Sequence, residues 1–131
     1  MMSRVDWAST IDAYFVHHRL ATSPERVDRL KASESFWAWE AIQEAMTAPA
    51  DDAVELLVAM AAAAVTLEEL AFLGADAIED LLWADAPRHV EAIDAAARTN
   101  ERFRIALRCA WFEGHVSPEI ATRLRRFGDP L

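Results

Sequence analysis

One cysteine, one lysine, one tyrosine and three glycines are all that this 131-residue sequence holds of those residue types. The lone Cys109 can form no internal disulfide and lacks the partners of a thiolate metal cage, which predicts a reducing compartment. Gly74, Gly114 and Gly128 stand far apart, so no glycine-rich phosphate loop can be assembled and the nucleotide-loop enzymes are excluded. No Glu is followed by His three residues on, which removes the di-iron carboxylate bundles. Nor do two His four apart flank a Glu, which removes the zincins. His17 and His18 are adjacent and would point about 100° apart on a helix, a poor grip on one ion. Long apolar runs are missing too. The longest, Leu56 to Val65, has ten residues, about half of what a bilayer crossing needs. No cationic, apolar leader follows Met1-Met2-Ser3-Arg4. Together these absences predict a cytoplasmic protein with no metal, no cofactor and no membrane span.

What is present favours helix. Alanine makes up about one residue in five and hydrophobic residues 53%, too apolar for a disordered chain despite a net charge of -9. The length suits a single domain over residues 1–131. Prolines and capping residues punctuate it: Ser23-Pro24, Pro49 before Asp51 and Asp52, Ala86-Pro87 and Ser117-Pro118 each offer a helix entry. Thr66 to Glu69 and Asp76 to Glu79 have the capping-box spacing, and Asn100 is a further start. Apolar residues recur at three- and four-residue steps in Trp7/Ile11/Tyr14/Phe15, Phe36/Trp39/Ile42/Met46, Val54/Leu57/Val58/Ala61/Val65, Ile78/Leu81/Leu82, Phe103/Ala106/Leu107/Ala110/Trp111 and Ile120/Leu124/Phe127. Gly74 and Gly114 fall where helices should stop. The reading is an all-α protein, a compact irregular bundle of seven to nine short helices near 5–20, 24–31, 34–47, 50–64, 67–73, 76–85, 87–98, 101–112 and 118–127. The second merges readily with the third. Short joints force antiparallel neighbours, partly in the manner of stacked HEAT-like hairpins. No fixed-period repeat is visible.

Charge is unevenly spread. Between Lys31 and Arg88 there is no basic residue and there are twelve acids, so residues 32 to 87 carry -12 against a net +1 before and +2 after. Such a field repels nucleic acid and anionic lipid and attracts basic partners, with association that weakens as salt rises. The opposing reading is that Arg98, Arg102, Arg104 and Arg108 fold back onto these acids. Arg123, Arg125 and Arg126 complement the dipole of the last helix.

Within the acidic segment Glu68, Glu69, Asp76, Glu79 and Asp80 with Trp83 form the candidate partner-binding set. Asp76, Glu79 and Asp80 sit three and four residues apart on the first turns of one helix, where capping and pairing to an arginine such as Arg102 account for them, in preference to a metal or general-acid group. Five Trp do not fit one small core easily, which makes Trp37 or Trp83 the candidates for an exposed contact. Cys109, between Ala106 and Ala110, reads as packed in or beside the core. His115, in the Glu113-Gly114-His115 link, suits a capping role or an acid or base. His89 reads as a helix-surface residue.

Leu73-Gly74-Ala75-Asp76-Ala77-Ile78-Glu79-Asp80-Leu81-Leu82, followed by Val90, Ile93, Arg102, Phe103, Leu107 and Trp111, resembles a bacterial family of unknown function whose members carry a Leu-Gly-Ala-Gly-Pro-Leu-Glu-Asp-Leu-Leu stretch. The likeness spans the C-terminal half to two-thirds. Asp76 and Ala77 replace the family's Gly and Pro, while Glu79 and Asp80 match. The resemblance implies an all-helical domain and no particular reaction.

Three functions stay open on the sequence. A non-catalytic protein, such as an immunity or antitoxin-like inhibitor, would cover a basic partner with its acidic face, as monomer or homodimer. A small hydrolase or metal-dependent enzyme would use Glu79, Asp80 and a histidine such as His115. A structural oligomerisation module would bury exposed tryptophan.

Overall fold

The computed structural model describes residues 6–48 and 50–131. The expected helix start at Val5 and the helix-opening Pro49 lie outside the described residues. The protein is all-helical, with no strand among the described residues. The helices are α1 (Trp7–Ala21), α2 (Arg26–Lys31), α3 (Phe36–Thr47), α4 (Ala53–Ala63), α5 (Leu67–Leu73), α6 (Glu79–Thr99), α7 (Glu101–Arg108) and α8 (Pro118–Arg125). A 3₁₀ turn, Ala32–Ser35, joins α2 to α3 without a break, and a π-turn, Gly74–Ile78, joins α5 to α6. Seven to nine separate helices therefore become, among the described residues, six continuous helical stretches, 7–21, 26–47, 53–63, 67–99, 101–108 and 118–125. None is long and apolar enough to cross a membrane.

The chain divides into two compact units, residues 1–44 and 45–131. In the first, Asp6 caps α1 by accepting the Ser9 N–H at 3.1 Å. α1 packs on α2 and on the 3₁₀ turn with Ile11, Tyr14, Phe15 and His18 buried. His17 reaches the Ala32 carbonyl through Nδ1 at 2.7 Å. α2 buries nothing of its own, and its apolar Val27 and Leu30 are exposed.

In the second unit α7 is the central element, packed against α4, α5, the π-turn and α6. Its strongly one-sided pattern puts Phe103, Ala106 and Leu107 in the interior, with Leu57, Met60, Leu70, Leu73, Ile78, Leu81 and Phe112 around them. Capping follows the sequence at three starts. Thr66 accepts the Glu69 N–H at 3.1 Å, while the Glu69 carboxylate accepts the Val65 N–H at 2.8 Å. Asn100 accepts from Phe103 and Ser117 from Ile120. Pro87 marks a kink, since Asp85 leaves helical geometry at φ -164°, ψ 70° and α6 resumes behind the proline. α8 is tied to α6 by Arg123, which bonds the buried Asp94 at 2.6 Å and Glu91 at 2.6 and 2.9 Å.

Gly74 does not stop a helix. Its φ of -63° and ψ of -48° are right-handed helical, and its missing side chain serves packing instead. A Cβ there would lie 2.0 Å from the Ala106 carbonyl oxygen. The glycine therefore lets α5 and α7 approach more closely than any other residue would allow.

Candidate functional site

The continuity of residues 67–99 changes the physics of the acidic motif. Asp76 and Glu79 are not a capping pair, because the chain enters Gly74–Ile78 already helical and no helix start exists for them to cap. The acids also miss the favourable dipole of a helix N-terminus, since that end lies a full helix earlier at Thr66. Arg102 does not neutralise them. Its Nε donates to the Ala61 carbonyl at 2.8 Å and its Nη2 to the Ala64 carbonyl, so it closes the C-terminal end of α4. The other arginines expected to fold back go elsewhere: Arg98 pairs with Asp94, Arg104 donates to the Ala97 carbonyl, and Arg108 donates to the Asp129 carbonyl. In the acidic segment Asp51 has a cation, Arg88, at 2.5 Å.

The consequence is concentrated on Asp80. Half-buried beside Asp76 and Glu79, its carboxyl is pushed up to about 6, first by burial and then by the two like charges. Three acids at i, i+3 and i+4 in mid-helix give the fold no electrostatic gain.

Glu79 and Trp83, one turn apart on α6, act together. The Glu79 carboxylate accepts the backbone N–H of Trp111 at 3.1 Å, and the Trp83 indole N–H donates to the Trp111 carbonyl at 2.9 Å. Both polar groups of that residue are thus gripped from the same face of α6. The His115 ring stacks on Trp83 with centroids 3.7 Å apart and 16° between planes, and meets Trp111 edge-on at 5.9 Å. Trp111 remains 63% exposed and Trp83 46%. The result is a fixed group of three aromatic rings at the surface, bordered by the carboxylate of Glu79.

Trp111 corrects the sequence expectation that it continues the apolar stripe of α7. That helix ends at Arg108, so the three- and four-residue spacing no longer applies beyond it, and Phe112 takes the buried place. The letters carry no signal for this exchange, since adjacent bulky residues are buried together elsewhere, as Tyr14 and Phe15 are on α1. Phe112 is held in turn by Arg125, whose guanidinium lies 4.0 Å above its ring while bonding Glu113 at 2.5 and 2.9 Å and the Ala110 carbonyl at 2.8 Å. That pairing holds the Glu113 carboxyl down at about 2.

Of the remaining candidates, Glu68 is exposed on α5, whereas Glu69 is only 4% exposed with its carboxylate engaged in the cap. The structure brings Asp76, Glu79, Asp80 and Trp83 together and leaves Glu68 and Glu69 a helix away. Trp37, in the other unit, is 50% exposed. Cys109 is half-buried, its thiol pushed up by burial, and lies against Gly74. His89 is buried rather than a surface residue, and its Nε2 has no hydrogen-bond partner among the described residues. No group of three His, Cys, Asp or Glu among the described residues is arranged to hold a metal ion.

No curated protein and no solved structure matches the chain. The model of DUF6869, a family of unknown function, matches residues 25–129. The match starts in α2, well ahead of the C-terminal stretch on which the sequence resemblance rests. The chain belongs to this family of unknown function.

Proposed function

We propose that this protein is a non-catalytic binding protein that takes a basic protein partner on the surface formed by Trp83, Trp111 and His115 with Glu79 and Asp80. The observation that carries the reading is the display of Trp111: Glu79 and Trp83 fix its backbone while its ring stays exposed. A rigid exposed indole offers contact area at small entropic cost, which is the character of interface hot spots. The acidic segment supplies the sign of the partner. In the same unit Asp52, Glu55 and Glu68 are exposed, and charge of this sign draws cationic proteins and repels nucleic acid. Inhibition of a basic effector, as by an immunity or antitoxin-like protein, fits this chemistry.

The test compares immobilised wild type with Trp111→Ala on source-cell lysate at low and at roughly physiological salt. The expected outcome is one or a few basic proteins held by wild type, weakened by salt and lost with Trp111→Ala. Identical retention by the two baits at both salt levels would refute the reading.

A further inference from the structure

Resting on that reading, we infer that the surface selects arginine over lysine: the exposed face of Trp111 and the adjoining Glu79 carboxylate take a guanidinium from the partner. The argument starts from a site the protein already fills by itself. At the loop after α7, Arg125 of α8 lies over Phe112 with Cζ 4.0 Å from the ring centroid, and its edge meets the Glu113 carboxylate in a two-pronged bond. Ring, carboxylate and guanidinium come from within four residues of that loop and from α8. One residue earlier, Trp111 presents a larger and more electron-rich ring to solvent. The carboxylate beside it comes from α6, where Glu79 and Trp83 lie one turn apart on one face of the helix.

Glu79 is also one of the two like charges that act on Asp80, so a cation held by Glu79 relieves part of that repulsion. Arginine suits the place better than lysine for two physical reasons. Its planar group stacks on an indole while its edge reaches a carboxylate, and it is more weakly hydrated than an ammonium, so it sheds less water against half-buried oxygens.

Calorimetric titration of the whole protein with acetyl-Gly-Arg-Gly-Arg-Gly-amide and with its lysine counterpart, at low salt, decides the matter. The arginine peptide should bind about two- to fivefold more tightly, the range of a cation over an exposed aromatic face. The preference should vanish in Trp111→Leu and persist in Trp37→Leu, which removes an exposed tryptophan of the other unit. Trp111 is bonded through its backbone, so Trp111→Leu keeps those bonds, and circular dichroism confirms that it folds. Equal binding of the two peptides, unaltered by Trp111→Leu, would overturn the arginine preference and leave the basic-partner reading standing. No binding of either peptide would overturn both.

Discussion

Asp80 shows what the protein carries at a cost to its own stability. Its carboxyl titrates near 6 instead of 3.8, so in the fold its charged form is disfavoured at neutral pH. Two units correspond to about 3 kcal/mol at most, and solvent access reduces that to on the order of 1–2 kcal/mol. Asp80→Asn should therefore stabilise the protein by that amount at pH 7.5 and change little at pH 3, where both folded and unfolded carboxyls are largely protonated. Thermal or urea unfolding at the two pH values measures it, and an Asn variant no more stable than wild type at pH 7.5 would show that the repulsion is relieved in solution. An acid between Glu79 and Trp83 on α6 that destabilises the fold is where function and stability compete. The acids and Trp83 were legible in the sequence as a group. Trp111 was not, because a periodicity argument assumes that the helix continues, and α7 ends three residues before it.

At the scale of elements, Gly74 separates two ways of reading a helix. Intrinsic propensity says that alanine in mid-helix is better than glycine by about 1 kcal/mol. Packing says the opposite, because the added Cβ would meet the backbone oxygen of Ala106 at 2.0 Å and backbone does not swing aside. Gly74→Ala should lose about 1–3 kcal/mol, read as a lower denaturant midpoint with unchanged m-value. A gain in stability would mean that α5 and α7 stand further apart than described. The same junction explains the helix count. A glycine flanked by helix formers reads as a stop, yet π-turns and 3₁₀ turns carry the chain across without a cap. The Thr66, Asn100 and Ser117 caps, by contrast, are local chemistry and were legible as such.

Over the whole molecule, groups of opposite tendency titrate near one another. His89 has its pKa lowered, chiefly by burial and then by Arg88. The unfolded chain accepts a proton below 6.5 that the fold resists, so this group removes stability as pH falls through that value. Asp80 works the other way: the fold holds its proton up to about 6 while the unfolded carboxyl releases it near 3.8, so stability rises as pH falls across that interval. Between pH 7.5 and 5, Asp80→Asn, left with His89, should lose more stability than wild type does. Parallel profiles would refute the assignment. Below about 4.5 both should weaken, as Glu113, held at about 2 by Arg125, and Glu91 and Asp94, held low by Arg123, progressively lose the advantage of their ion pairs.

The sequence by itself determined that the chain is helical, where most helices begin, and that its negative charge is gathered between Lys31 and Arg88. Those properties depend on neighbours a few residues apart, through caps, turns and side-chain spacing. Only the tertiary structure decided that the arginines serve backbone carbonyls and C-terminal acids, that Gly74 is a packing contact, and that Trp111 faces outward with its backbone held by Glu79 and Trp83. Each of these rests on residues tens of positions apart meeting in space, as with Arg102 and Ala61 or Glu79 and Trp111. A pattern confined to one helix holds no record of its neighbour.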